Sequence, residues 1–331
     1  MNPHNRNAAH LTGVVLDFDS LSPESLDLTA LEQLQGVKWQ FYSTTSAQEV
    51  AERIREAHII LVNKVPLTQA ILQDQPQLKY IGVLATGMNN IDLDACDKLG
   101  ICVRNVEGYG TASVAQHTLM LILTLACSAH RYFADVRDER WSASKQFCLL
   151  DHPVMELEGK HLVIVGYGEL GQAVAKLAKA FGMRVSVAQR PGTERAAHQV
   201  NDVSRLPLDE LLPEADVISL HCLLSDQTAL LINRERLAKL KPNAFIVNTA
   251  RGGLIDENAL LQALQSNQLG GAALDVLSQE PPPKHHVLLN TGLPNLIITP
   301  HTAWAAQQAR QRLLNIAVEH LQQFLGCELD Q

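Results

Sequence analysis

Three stretches place chemically able residues just past apolar runs: Arg251 in "AFIVNTARGGLIDE", Glu280 in "GAALDVLSQEPPP" and His301 in "NLIITPHTAW". The planar guanidinium of Arg251 can grip a carboxylate through two parallel hydrogen bonds, which a lysine cannot do. His301 can pass a proton to or from a substrate oxygen near neutral pH. Glu280 can accept from the other imidazole nitrogen, orienting the ring and favouring its charged form. Each also has a plain alternative: Arg251 as a helix cap, Glu280 as surface charge, His301 as a loop residue among 13 histidines. Together they make a set that could bind an acid and move a proton.

A fourth stretch, "HLVIVGYGELGQAVAKLAKAFGMRVSVAQR", runs from an apolar strand into Gly166-Tyr167-Gly168-Glu169-Leu170-Gly171, then a helix, then the strand Val185–Ala188. This is G-x-G-x-x-G in the strand–turn–helix–strand setting that a dinucleotide site requires. Gly166 allows the tight turn, Gly168 lets a pyrophosphate approach the backbone, and Gly171 permits close helix–strand packing. The helix N-terminus then offers free N–H groups and a positive dipole to the phosphates. An acid at the end of the next strand would select a ribose 2′-OH and repel a 2′-phosphate. Gln189 and Arg190 stand there, with no acid until Glu194. NAD(H) or NADP(H) is therefore the expected cofactor, with NADPH favoured; a solvated surface cation is the plain alternative for Arg190.

Ligands of open α/β sheets bind beyond the carboxyl ends of the strands, so the elements that carry these residues matter. In the first half, "VVLDFD" (Val14–Asp19), "IILVN" (Ile59–Asn63), "YIGVLA" (Tyr80–Ala85) and "CVRNV" (Cys102–Val106) read as strands. Helical patterns separate them, one beginning at Ser46 with Glu49 completing a capping box. The second half repeats the rhythm in "HLVIVG", "RVSVAQ", "DVISLHC", "AFIVNTA", "GAALDV" and "LIITP". Continuous apolar strands between helices imply parallel sheets covered on both faces. Two such series imply two α/β domains. One long helical pattern, about Thr111 to His130, follows the first series, and another follows His301. That final helix is expected to pack back on the first domain and make it discontinuous.

The bulk properties exclude several classes. A chain of 331 residues can hold two domains, and 46% hydrophobic with 19% charged residues is ordinary for a globular protein. A net charge of −8 leaves no basic excess to neutralise phosphates, which argues against nucleic acid or an anionic membrane as partner. No stretch approaches the roughly 18 apolar residues needed to cross a bilayer. The N-terminal "MNPHNRNAAHLTG" has no secretory h-region, and six scattered cysteines without a C-x-x-C pair suit reduced thiols rather than disulfides or zinc. The cytoplasm is the expected compartment, with no metal.

The ordered series "GYGELG", "ADVISLHC", "NTARGGLIDENAL", "GAALDV", "EPPP" and "TPHTAWA" resembles the D-isomer-specific 2-hydroxyacid dehydrogenases along nearly the whole chain. The resemblance implies that Arg251, Glu280 and His301 are the catalytic set. It further implies that Cys222, Thr228, Thr249, Ala250, Asp275 and Ala303 join the glycine loop, Gln189 and Arg190 around the cofactor. Thr86, Gly87 and Met88 in "LATGMNNID" would meet the substrate carboxylate, with Arg251 and Trp304 also at the substrate. The fold it implies is a Rossmann domain over residues 106–295 inserted into a flavodoxin-like substrate domain of residues 1–105 and 296–331. It also implies a homodimer, through the long helix near Thr111 and an arm bearing Trp141 and Phe147.

The chain is most similar to the glycerate dehydrogenase (hydroxypyruvate reductase) branch, through "ATGMNNID", "RWSASKQFC" and "TPHTAWA". A small 2-keto acid, hydroxypyruvate or glyoxylate, is the expected substrate. Two departures stand out: Leu223 where the family usually has proline, and Gln116 where glutamate is common. D-3-phosphoglycerate and D-lactate dehydrogenase are the neighbouring readings; the short stretch after Trp304 leaves little room for the regulatory domain of many phosphoglycerate enzymes. A cofactor-sensing interaction protein on the same fold is the alternative of another class, and the intact Arg–Glu–His set counts against it.

Overall fold

The computed structural model describes residues 11–191 and 204–329, which fall into two compact units. The first comprises residues up to Gly110 and from Ala305 onward; the second runs from Thr111 to Trp304.

The first unit carries five parallel strands: β1 (Leu11–Val15), β2 (Val37–Phe41), β3 (Ile59–Val62), β4 (Tyr80–Val83) and β5 (Cys102–Arg104). Their order is β2-β1-β3-β4-β5, the flavodoxin-like arrangement. β3 and β4 are buried throughout, as their unbroken apolar runs require. β2 did not stand out in the sequence because it is an edge strand whose "VKWQF" is mostly exposed. The Ser46–Glu49 contact is present, Glu49 Oε2 accepting from Ser46 N at 2.9 Å, but the helix it introduces covers only Val50–Arg53. The C-terminal helix Gln307–Leu329 belongs to this unit, where Phe324 lies against Tyr80 of β4 with ring centroids 4.9 Å apart.

The second unit is built on seven parallel strands: β6 (His161–Val165), β7 (Arg184–Ala188), β8 (Ser204–Leu206), β9 (Val217–Leu220), β10 (Phe245–Asn248), β11 (Gly271–Leu274) and β12 (Leu296–Ile298). The order β12-β11-β10-β9-β6-β7-β8 reverses direction between β6 and β9, the switch point of a Rossmann sheet. Alternate residues of β6 serve the two faces: Val163 and Val165 join the core with Ile218, Ile246 and Leu260, while Leu162 and Ile164 pack with Leu121, Ile122 and Leu125. Both faces being covered explains why these strands read as continuous apolar runs.

Three expectations change. Residues 296–298 pair with β11, Ile297 opposite Ala273, so this segment belongs to the seven-stranded sheet, and the division falls after Trp304 rather than at 295. The first division likewise falls at Gly110 rather than residue 105. The long helical pattern is two helices, Thr111–Ala126 and Ala129–Arg137, bent by 65° around Ser128, whose φ of 48° lies in the left-handed region. Among the described residues no single helix is long and apolar enough to cross a membrane.

Candidate active site

At the switch point, β6 runs into Gly166, whose φ is +96°. A Cβ there would sit 2.5 Å from Cys222 N and 2.6 Å from the carbonyl carbon of His221, so only glycine fits against the chain leaving β9. A Cβ on Gly171 would meet Gly166 O at 2.1 Å, which fixes the close packing of the helix Glu169–Ala180 on the loop. Gly168 has no atom within 4 Å of a built Cβ, and it opens that twelve-residue helix without a side-chain cap. The open space beside Gly168 and the absence of a side-chain cap suit a pyrophosphate at this helix N-terminus. Around them Glu169 accepts from Thr111 Oγ1 at 2.7 Å, Leu170 is half-buried, and the Arg205 guanidinium lies 5.8 Å from the Tyr167 ring centroid.

Past β7, Gln189 is half-buried and Arg190 exposed, and both line a cavity of about 320 Å³ that reaches back to Val165. The cavity does contain acids: Asp209 and Glu210 reach it from the short helix Leu208–Leu211. Asp209 is bound by Arg236 at 3.0 Å and Lys239 at 2.7 Å. Those hydrogen bonds hold its carboxyl below the usual range. Its charge is thus matched by two cations. Glu194 lies outside the described residues. In the loop after β9, Thr228 Oγ1 donates to Leu223 O at 2.7 Å and accepts from Ser225 N at 2.8 Å, so it shapes the turn. Burial pushes the neighbouring Cys222 thiol up to about 11. Leu223 is 82% exposed. Gln116 is exposed on its helix, and nothing in the structure explains the departure there.

The three neighbouring strands β10, β11 and β12 deliver the Arg–Glu–His residues at their carboxyl ends. His301 Nδ1 donates to Glu280 Oε2 at 2.6 Å, and Glu280 Oε1 accepts from Leu277 N at 2.9 Å. Both side chains are about one-third exposed, at 31% and 34%. With Nδ1 committed to Glu280, Nε2 is the ring atom left to exchange a proton. Arg251 does not bond either partner; its Nη1 donates to Ala250 O at 2.7 Å. Its loop is nonetheless fixed to theirs, since a Cβ on Gly252 would sit 1.9 Å from the carbonyl carbon of Leu277. Buried Asn248 braces the same turn, accepting from Ala250 N at 3.0 Å and donating to Arg251 O at 2.9 Å. Thr249, also buried, pairs its hydroxyl with that of Thr118 at 3.0 Å.

Asp275 is only 1% exposed, and its carboxylate gathers donors from the loop around His301. It accepts from Thr299 Oγ1 at 2.5 Å, Thr302 N at 2.9 Å and Ala303 N at 2.9 Å, with His117 Nε2 at 3.3 Å. Burial pushes its carboxyl up, but these hydrogen bonds, His117 first, outweigh burial and hold it below the usual range. Ala303 is buried and Trp304 half-buried. In the first unit, Thr86 follows β4, its hydroxyl donating to Val106 O at 2.9 Å, and its carbonyl accepts from Asn105 Nδ2 at 2.7 Å. Gly87 is half-buried, and Met88 packs on that unit's core.

Known proteins are similar to this chain along most of its length. The sequence profile of the D-isomer-specific 2-hydroxyacid dehydrogenase NAD-binding domain matches residues 119–303. The hydroxypyruvate reductase of Blautia hydrogenotrophica is 39% identical, covering 94% of this chain and 96% of its own. The glycerate dehydrogenase of Methylorubrum extorquens is 40% identical over 92% of this chain and 95% of its own. Among solved structures, the TT0316 protein of Thermus thermophilus superposes with a TM-score of 0.82 at 34% identity, covering 93% of this chain and 95% of its own.

Proposed function

This chain belongs to the D-isomer-specific 2-hydroxyacid dehydrogenase family, and from that premise we propose that it interconverts hydroxypyruvate and D-glycerate, or glyoxylate and glycolate, with NAD(P)H. The observation that carries the reading is the 2.6 Å bond between His301 and Glu280 at the end of β12, beside the Arg251 turn at the end of β10. The second unit is the nucleotide-binding domain and the first the substrate domain. Arg251 holds the substrate carboxylate through its planar fork. Thr86, Gly87, Met88 and Trp304 help seat the substrate. The glycine loop and the helix N-terminus at Gly168 would hold the pyrophosphate, with Thr249, Ala250 and Asp275 toward the nicotinamide end. When bound, the reduced nicotinamide supplies a hydride to the substrate carbonyl carbon. His301 gives its proton to the carbonyl oxygen as negative charge develops there, and Glu280 keeps the ring turned and balances its charge. In the reverse direction, neutral His301 takes the hydroxyl proton.

The test is the fall in NAD(P)H absorbance with a panel of 2-keto acids and both cofactors. Turnover fastest with hydroxypyruvate or glyoxylate is expected. No turnover with any 2-keto acid would instead favour a cofactor-sensing role. Because Asp209 is neutralised by Arg236 and Lys239, and Gln189 and Arg190 stand at the end of β7, NADPH should be used at least as well as NADH. Arg190→Ala should weaken NADPH use more than NADH use. A tenfold NADH preference in kcat/KM, about 1.4 kcal/mol, would overturn this.

The second unit also exposes apolar side chains along one run of chain: Phe133 at 72%, Trp141 at 51%, Phe147 at 89% and Leu150 at 86%. Surface of that kind marks an association site, and we place a two-fold homodimer contact there. Sedimentation at micromolar concentration should give a dimer; a stable monomer would rule it out. All six cysteines are free thiols.

A further inference from the structure

The helix Thr111–Ala126 supplies none of the residues placed at the substrate, yet two of its side chains reach the loop that carries His301. Ser113 Oγ donates to Ala303 O at 2.6 Å. His117 Nε2 lies 3.0 Å from Thr299 Oγ1 and 3.3 Å from Asp275 Oδ1. Four residues apart, Ser113 and His117 share one helix face. Thr299 spends its single hydroxyl proton on Asp275, at 2.5 Å. Both oxygens in front of His117 are therefore acceptors, so its Nε2 carries a hydrogen and donates. The same Asp275 receives the amides of Thr302 and Ala303. Residues on both sides of His301 are thus tied to Asp275 and to this helix. His301 itself has φ +54°, a left-handed conformation that is strained for a non-glycine residue and persists only where its surroundings enforce it.

We infer that His117, assisted by Ser113, is a positioning residue for the proton transfer. Through Thr299 and Asp275 it holds the 299–303 loop so that His301 keeps its ring on Glu280. The inference rests on the reading of His301 as the acid–base group.

The experiment compares His117→Leu, His117→Gln and Ser113→Ala with wild type and with His301→Ala. His117→Leu fills the space without a donor, and kcat should fall by about 10²-fold, the scale of a loss caused by misplacing a catalytic group. KM and NAD(P)H affinity should stay close to wild type. His117→Gln offers an amide N–H to the same oxygens and should recover most of kcat. Added to His301→Ala, His117→Leu should lower kcat no further. Ser113→Ala, a small change that leaves His117 in place, should lose kcat several-fold; it keeps the idea testable if His117→Leu does not fold. Wild-type kcat in both His117→Leu and Ser113→Ala would overturn the inference, as would a glutamine variant no better than leucine. If His301→Ala itself turns over normally, the reading of the acid–base group falls. If that variant is inactive while His117→Leu and Ser113→Ala are both unimpaired, only the positioning role falls.

Discussion

Alanine in place of His301 should lower kcat by about 10²–10⁴-fold, the loss typical of a removed acid–base group, with NAD(P)H binding largely kept. The ring lies beyond β12 and touches Glu280, remote from the glycine loop at the end of β6, so its loss should spare the cofactor site. The direction of pH dependence adds a second test. Reduction delivers a proton to the carbonyl oxygen and needs the imidazolium, so it should slow as pH rises. Oxidation needs the neutral ring as base and should gain over the same range. In His301→Ala both dependences on this group should vanish. Glu280→Gln leaves Nδ1 a neutral partner in place of a charged one and should lower kcat in both directions. A His301→Ala enzyme with near-normal kcat and an unchanged pH profile would show that another group moves the proton.

Removing the carboxylate of Asp275 should reach both stability and turnover. Asp275→Ala strands the amides of Thr302 and Ala303, together with the Thr299 hydroxyl and His117, around a vacated buried position. Unsatisfied buried donors of this kind cost on the order of 3 kcal/mol in total. The pH dependence follows from the lowered carboxyl of the folded protein. A carboxyl held below its unfolded value stabilises the fold fully above that unfolded value, near the ordinary 3.8, and loses the contribution as pH falls through the lowered folded value. The stability gap between wild type and Asp275→Ala in urea unfolding should therefore be widest near neutrality and narrow below about pH 4. A gap that stays constant down to pH 3 would mean that the charge is not what holds the loop. Because the same loop carries His301, the variant should also lose kcat.

How much of this is legible in sequence depends on the range of the physics involved. The inner strands announced themselves because a parallel strand covered on both faces must be apolar throughout, as in "HLVIV" and "FIVN". β2 and β8 are edge strands, where the burial that leaves such a signature is incomplete. The glycine loop was readable because its demands are local: a left-handed turn at Gly166 and a closed approach at Gly171 depend on neighbours a few residues away or on one adjoining strand. Arg251, Glu280 and His301 were readable as polar residues at the ends of apolar strands, a position with few structural uses.

Other features were decided only by the tertiary fold. Residues 296–298 belong to the seven-stranded sheet because Ile297 pairs with Ala273, a hydrogen-bonding choice that no composition reveals. Asp209 enters the cavity past β7 from a separate helix, so reading along β7 alone missed it. Asp275 also braces the His301 loop from a buried position, a role its place after a strand did not announce. His117 meets Thr299 across 182 positions of chain, and Ser113 meets Ala303 across 190. Residue type and periodicity report which groups can do chemistry and which faces must be buried. Which distant donor satisfies which buried acceptor is settled only when the sheet and its covering helix close on each other, because a hydrogen bond needs its two atoms within about 3 Å and the sequence carries no distance between them.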